Sequence, residues 1–505
     1  MLQKSFYITT TLPYVNADPH IGFALEIIQA DVIARYHRAL GENVIFNTGT
    51  DEHGQKIYTA AQKQGLEPKA YCDGYAAKFH ALKDALNLSY TNFIRTTDEH
   101  HVAAAQEFWR RSLANGDIYK KNYQVKYCVG CELEKTDSDL VEGRCPLHPK
   151  TEIELINEEN YFFRWSKYQA ALLEHFKKNP DFVMPKGRAH EIVSFIESGL
   201  NDFSVSRLAS KMPWGIPVPD DSTQVMYVWF DALVNYISTL GWPTDEKNFK
   251  EFWPGVQVAG KDNLRQQSAM WQGMLLSAGL PLAKQIFIHG FITAEGQKMS
   301  KSLGNVVNPM DLVAKYGTDA TRYYLLSAMP SYEDGDYSAE RFAIVYRTEL
   351  AGELGNLIYR VLSMCEKYCD SKVPRAAPQS IKTDYLNYET ALSKFDFQAA
   401  TASVWAIIRD ANRYVDESKP WALAKAGENE KVQAVMYNLL EALRHIARLL
   451  EPMLPKSGEA ILRQLGALED ERSRDSESGK KWGLLKEGGK LVKENPLFPQ
   501  IEEPK

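Results

Sequence analysis

The chain has 505 residues, 44% hydrophobic and 25% charged, the balance of a globular protein of about three domains at ~150 residues each. Its 59 basic and 65 acidic side chains give a net charge of −6, which excludes a general nucleic-acid coat but not a local basic face. With no run of ~18 apolar residues, a membrane span is not expected; the opening MLQKSFYITTTLPY lacks the apolar stretch of a signal peptide; and six cysteines are too few for a disulfide framework and fit a reducing cytoplasm.

Phe6, Ile8 and Thr10 alternate within SFYITT and predict a strand. TLPYVNADP follows as a loop, by its Pro, Asn and Asp content. Ile21, Leu25, Ile28, Val32, Tyr36 and Leu40 then recur at helical spacing, with Gly41 as a natural stop. VIFNTGTDEHG is a second apolar run entering a polar loop. Strand, crossover helix, strand is the unit of a parallel sheet. Ligands bind beyond the carboxyl ends of such strands, which places Pro13–Gly22 and Thr50–Gly54 on one rim. At the helix entry, His20-Ile21-Gly22-Phe23, free N–H groups suit a phosphate, Gly22 admits a close approach and His20 adds a donor. The plain alternative is a capping or surface histidine.

YCVGCELEKTDSDLVEGRCPLH has the spacing C-x2-C-x13-C-x2-H. Paired sulfurs on short turns are what tetrahedral zinc requires, so Cys128, Cys131, Cys145 and His148 are the expected ligands. Four protein ligands leave no open position, so the ion is expected to be structural. A free-standing zinc ribbon that binds RNA is the non-enzymatic reading of this segment. Cys72, Cys365 and Cys369 read as small buried apolar residues.

Farther along, QIFIHGFITAEGQKMSKSLGNVVNP carries a strand-like run from Ile286 to Ile292, a turn at Glu295-Gly296, and Lys298-Met299-Ser300-Lys301-Ser302 before Gly304. Two lysines three apart in a glycine-punctuated loop can fold around a polyphosphate; a solvated basic loop is the alternative. From about residue 338, apolar residues recur at three and four with Pro and polar breaks between, which predicts a helix bundle. The last 40 residues or so are highly charged and end PLFPQIEEPK.

PHIGF with KMSKS resembles the signature pair of class I aminoacyl-tRNA synthetases, usually HIGH and KMSKS. LPYVNADPHIG, NTGTDEHG, YVWFDALVNY and GKDNLRQQSAMW resemble the active-site segments of the methionyl-tRNA synthetases, and the likeness runs to about residue 465. It implies an α/β fold: a Rossmann-like parallel-sheet catalytic domain (1–115 and 226–290) split by a zinc-knuckle connective insertion (116–225). A KMSKS loop and stem-contact region (291–345), an anticodon-binding helix bundle (346–465) and a charged tail (466–505) follow. The implied reaction is ATP-dependent activation of L-methionine to the adenylate, with transfer to the terminal adenosine of tRNA(Met) bearing a CAU anticodon. No added dimerisation domain is expected, hence a cytoplasmic monomer.

The same resemblance assigns residues. Asp51 is expected to hold the α-ammonium, with Leu12, Tyr14, Trp229, Ala232, Leu233, Tyr236, Asn263, Gln267 and Trp271 around the side chain. Asn16, His20, Gly22, Phe23, Gly260, Asp262 and Met299 are expected around ATP, which brings Mg2+ with it. His20, Lys298 and Lys301 are the expected catalytic groups, acting by charge stabilisation because no protein nucleophile is needed. Asn356, Arg360 and Trp421 match anticodon contacts. Three positions depart from the family's usual residues: Phe23 for His, Asn263 for a β-branched residue and Gln267 for His. They leave open a tRNA-binding paralogue without catalysis, against which KMSKS and Asp51 count, and a ligase for another small amino acid.

Overall fold

The computed structural model describes residues 3–299 and 304–501. Its first elements are β1 (Ser5–Thr10), α1 (Ile21–Ala39), β2 (Asn43–Thr50), α2 (Gln55–Lys63), α3 (Pro68–Ala85), β3 (Asn92–Arg95) and α4 (Glu99–Ala114). A six-stranded sheet runs in the order β3, β2, β1, Val256–Gly260, Gln285–His289, Val183–Met184, with every pair parallel. The order reverses between β1 and Val256–Gly260, where Ile8 pairs with Val256 and Thr10 with Val258. Crossovers leave such a switch point on opposite faces, which opens a crevice at the carboxyl ends. The segments after Thr10, Thr50, Gly260 and His289 all emerge on that rim.

α1 is buried without interruption from Ala24 to Ala34, because the sheet covers one side and the helix Thr318–Ser327 the other. A helix enclosed in this way is apolar all round, so its polar residues need partners. Asp31 meets Arg322 and Arg35, each at 2.8 Å. Glu26 accepts hydrogen bonds from the Thr11 amide and hydroxyl at 2.8 and 2.5 Å.

The insertion is built on β4 (Ile118–Cys128), which pairs antiparallel with the strand Glu154–Phe163 from Ile118↔Phe163 to Tyr127↔Glu154. The long ribbon carries the cysteine knuckle at its far end. Beyond the sheet domain, the helices Asn356–Tyr368, Phe397–Ser418, Asn429–Leu450 and Pro455–Gln464 form the C-terminal bundle. The tail packs back onto it despite its charge: Leu485, Leu491 and Phe498 are buried, and the buried Glu441 accepts the Gly483, Leu484 and Leu485 amides at 3.0–3.2 Å. Among the described residues no helix is long and apolar enough to cross a membrane.

Candidate functional site

His20 is the N-cap of α1, and its Nδ1 accepts the Gly22 amide at 3.1 Å. A Cβ on residue 22 would lie 2.9 Å from the His20 ring, so glycine is what lets the imidazole fold over the helix start. Because Nδ1 is the acceptor, the proton of the neutral ring sits on Nε2. Burial pushes the His20 pKa down and keeps it neutral. Asn16, on the loop before α1, and Gly22, in its first turn, are partly exposed. Phe23 packs edge-on against Phe79 of α3, with ring centroids 5.3 Å apart at 87°.

Across the crevice, a Cβ on Gly260 would sit 2.9 Å from Asp262 Oδ1. Asp262 lies in a concave recess, open to solvent yet hemmed in by protein. Desolvation, then the Glu26 charge, pushes its pKa up. His289 closes this side: Nε2 donates to Glu26 at 3.0 Å and Nδ1 to the Gly290 carbonyl at 2.8 Å. Both partners are acceptors, so the ring carries both protons; burial opposes that charge, but Glu26 outweighs it and the pKa is raised. Neither Glu26 nor His289 is foreseen from the sequence. The available signals were an acid inside an apolar helix and a histidine ending a strand before Gly290.

The residues expected around the amino acid converge on the β1 and β2 side of the crevice. Tyr14 forms an isolated parallel bridge with Asp51. Asp51 accepts the Val15 amide at 3.2 Å through its carbonyl and donates its own amide to Pro13 at 3.0 Å. Its side chain is buried, and Oδ1 has no hydrogen-bond partner among the described residues. Desolvation, then the charges of Asp231, Glu132 and Glu52, pushes its pKa well above the ordinary carboxylate value. A buried carboxylate with one oxygen unpartnered among other acids is a cation receptor by its electrostatics. Behind it the fully buried Asp231 accepts from His53 at 2.7 Å and His101 at 2.8 Å, a support the sequence reading lacks.

Ala232, Leu233, Tyr236 and Trp271 are buried, and Leu12 and Trp229 partly so. Trp271 stacks on Phe108 at 5.6 Å and tilts against Tyr236 at 5.9 Å. Gln267, in a π-helical turn from Gln266 to Met270, donates its amide to the Tyr236 hydroxyl. It thus supplies a polar contact to the pocket, although it is not the family's usual residue. Asn263 makes only a 3.4 Å contact with Asp262 at the recess.

Lys298 is exposed at the end of a short hairpin, Thr293↔Lys298. It lies near enough to Asp262 and to His148 for its charge to act on both. Met299 packs partly buried against the core. Lys301 lies outside the described residues.

Cys128, Cys131, Cys145 and His148 offer ligand atoms that all lie within 4.8 Å of one another. Cys131 Sγ is 3.4 Å from Cys145 Sγ and 3.2 Å from His148 Nδ1. Tetrahedral zinc, at ~2.3 Å to sulfur and ~2.0 Å to nitrogen, needs separations of about this size. A Cβ on Gly130 would be 2.4 Å from the His148 ring, so a bare backbone lets the fourth ligand close over the C-x2-C turn. The cluster is consistent with a zinc site.

In the bundle, Asn356 and Arg360 sit one turn apart on one helix, and Trp421 is 45% exposed. Arg360 donates to Asp416 at 2.8 Å, five residues before Trp421, so the three share one end of the bundle. A groove of about 1310 Å3 lies elsewhere, beside Arg35, Lys315, Asp319 and Lys456. Within it Glu471 pairs with Arg448 and Glu459 with Arg472, and none of the expected site residues lines it.

Comparison with known proteins agrees with this geometry. The family described as tRNA synthetases class I (M) matches residues 6–152 and 147–362, and the anticodon binding domain of methionyl tRNA ligase matches 371–505. The methionine–tRNA ligase of Thermosynechococcus vestitus is 44% identical over 523 residues, covering 99% of this chain and 98% of that protein. That of Thermotoga maritima is 41% identical, covering 98% and 80%. The solved structure of Mycobacterium tuberculosis methionyl-tRNA synthetase in complex with methionyl-adenylate superposes with a TM-score of 0.92 at 38% identity, over 99% of this chain and 100% of that one.

Proposed function

The chain belongs to the methionyl-tRNA synthetases of class I and is a methionine–tRNA ligase, and from that premise we propose how its own residues divide the work. The observation that carries the proposal is Asp51 Oδ1, buried and without a hydrogen-bond partner among the described residues. Asp51 receives the α-ammonium of methionine, and Leu12, Tyr14, Trp229, Ala232, Leu233, Tyr236 and Trp271 enclose the thioether. Aromatic faces favour sulfur, and Gln267 fixes Tyr236. Asn263 completes the polar side.

ATP lies across the switch point, against Asn16, His20, Gly22, Phe23, Gly260, Asp262 and Met299. The methionine carboxylate attacks the α-phosphorus and pyrophosphate leaves. His20 donates from Nε2 to the transition-state phosphate, while Lys298 and Lys301 stabilise the charge developing on pyrophosphate. Magnesium bound through ATP would neutralise phosphate charge. The 2′-hydroxyl of the terminal tRNA adenosine then attacks the activated carbonyl, the acyl–phosphate bond breaks, and AMP leaves as the hydroxyl gives up its proton. Cys128, Cys131, Cys145 and His148 hold one structural zinc ion, and the insertion they brace, about residues 116–225, shapes acceptor-end binding.

Asn356, Arg360 and Trp421 read the CAU anticodon of tRNA(Met). Splayed bases stack on flat side chains and bond through their edges. Residues 1–115 and 226–290 act as the catalytic unit, 291–345 as the loop and stem contact, and 346–465 with the packed tail as the anticodon unit. The chain works as a cytoplasmic monomer.

The test of the Asp51 assignment is a comparison of methionine with 4-methylthiobutanoate, which lacks the ammonium. Wild type should bind the analogue at least ~10²-fold more weakly, the scale of a lost charged hydrogen bond in a buried site, and Asp51→Asn should erase the difference. Equal binding of the two by wild type would refute it.

A further inference from the structure

The knuckle reaches the amino-acid pocket with a carboxylate. Glu132 follows the ligand Cys131 directly, adopts φ +54° and is 6% exposed. A non-glycine residue is rarely held there without a purpose. Its Oε1 accepts the Tyr14 hydroxyl at 3.2 Å and the Lys56 amide, in the first turn of α2, at 3.1 Å. Its Oε2 accepts the Tyr127 hydroxyl at 2.6 Å. Both carboxylate oxygens are thereby committed, and two of the three donors come from the catalytic domain.

The catalytic domain is shaped to receive this contact. Gly54, at φ +112°, has no Cβ; one placed there would lie 2.3 Å from the Tyr14 hydroxyl and 3.4 Å from Glu132 Oε1. Around the carboxylate, Tyr127, Tyr227 and Val228 form a small apolar cluster against which Tyr14, Val129 and Trp229 pack. Knuckle and pocket aromatics therefore share one wall. Tyr14 in turn pairs through its backbone with Asp51, so the tilt of its ring bears on the ammonium receptor.

We propose that Glu132 is a positioning residue for the amino-acid site: by holding the Tyr14 hydroxyl over Gly54 it lets the metal-binding insertion set the affinity for methionine. This rests on the pocket assignment above. Burial and the Glu132 charge keep the Tyr14 phenol protonated, so it remains the donor across the working pH range. Glu132→Gln keeps an oxygen for Tyr14 and Lys56, while its NH2 can donate to Tyr127, whose hydroxyl can also accept. Glu132→Ala removes the tie.

The experiment measures methionine affinity by intrinsic tryptophan fluorescence on the full zinc-loaded chain, with metal content and melting temperature recorded for each variant. Glu132→Ala and Tyr14→Phe should each weaken methionine binding by about tenfold or more, the scale of one hydrogen bond to a charged group, with one zinc retained and KM for ATP little changed. Glu132→Gln should stay within about threefold of wild type. In the Tyr14→Phe background, Glu132→Ala should have almost no further effect, because the two form one unit. Wild-type affinity in Tyr14→Phe, fully additive losses, or loss of zinc from Glu132→Ala would each overturn the proposal. Wild type that binds no methionine would instead defeat the pocket assignment, so the two failures are distinguishable.

Discussion

His20 Nδ1 accepts the amide of Gly22 at 3.1 Å, and this bond makes Nε2–H the outward face of the imidazole. Asn at this position keeps an acceptor near Nδ1 but has nothing at Nε2. His20→Asn should therefore keep the helix cap and lose the phosphate donor. Its kcat for adenylation should fall by about 10²–10³-fold, as for other single oxyanion donors, with a near wild-type melting temperature. His20→Ala should show the same kinetic loss and, in addition, about 1 kcal/mol lower stability from the missing cap. A wild-type kcat in His20→Asn would reduce the histidine to a cap. Pyrophosphate exchange and thermal melts measure both quantities.

Asp51 titrates high because it is buried beside other acids. A carboxyl raised above its unfolded value favours the folded state below the unfolded pKa, and this advantage is lost as pH rises through the folded pKa. At neutral pH, well above the unfolded value, burying this carboxyl thus costs the free enzyme stability. Asp51→Asn should raise the melting temperature at pH 7.5 by roughly 2–4 °C, the shift that about 1 kcal/mol gives in a domain of ordinary size. The gain should shrink as pH is lowered, and methionine binding should be lost throughout. A variant no more stable than wild type at pH 7.5 would contradict the electrostatic account.

The rim was legible because its signals are local. Alternation in β1, helical spacing in α1 and the C-x2-C turn each span a few residues and obey simple periods. What was missed is non-local. Glu132 and Tyr14 are separated by 118 positions, and Glu26 and His289 by 263. Their partners become visible only once the sheet brings the segments together. The tail was read by its charge, yet the three amides that hold it on Glu441 are backbone groups that leave no trace in composition. Gln267 was a departure from pattern in the sequence and is a hydrogen-bond donor to Tyr236 in the fold.

Phe23 stands edge-on to Phe79 and helps seat the start of α1. Histidine can occupy the same space with a similar edge, and the proposed phosphate contacts are carried by Gly22 and His20. Phe23→His should change kcat/KM for ATP by less than about tenfold, ~1.4 kcal/mol of transition-state binding. Loss of the aromatic pair should cost about 0.5–1.5 kcal/mol of stability. A hundredfold gain in kcat/KM would instead mark the position as a lost catalytic donor.

Trp421 is exposed at the end of the bundle where Arg360 meets Asp416. Trp421→Ala should reduce kcat/KM for aminoacylation of CAU-anticodon tRNA by about tenfold or more, since one base–aromatic stack is worth ~1–3 kcal/mol. Methionine-dependent pyrophosphate exchange should be unchanged, because the residue belongs to another domain. Equal damage to both reactions would mean that the tryptophan serves folding.

The central claim is that this cleft, with Asp51 at one side and His20 at the other, activates methionine. ATP–pyrophosphate exchange by the purified zinc-loaded chain, run with each of the twenty amino acids, tests it most directly. Exchange should depend on methionine and vanish in Asp51→Asn. Exchange with a different amino acid, or with none from folded protein, would contradict it.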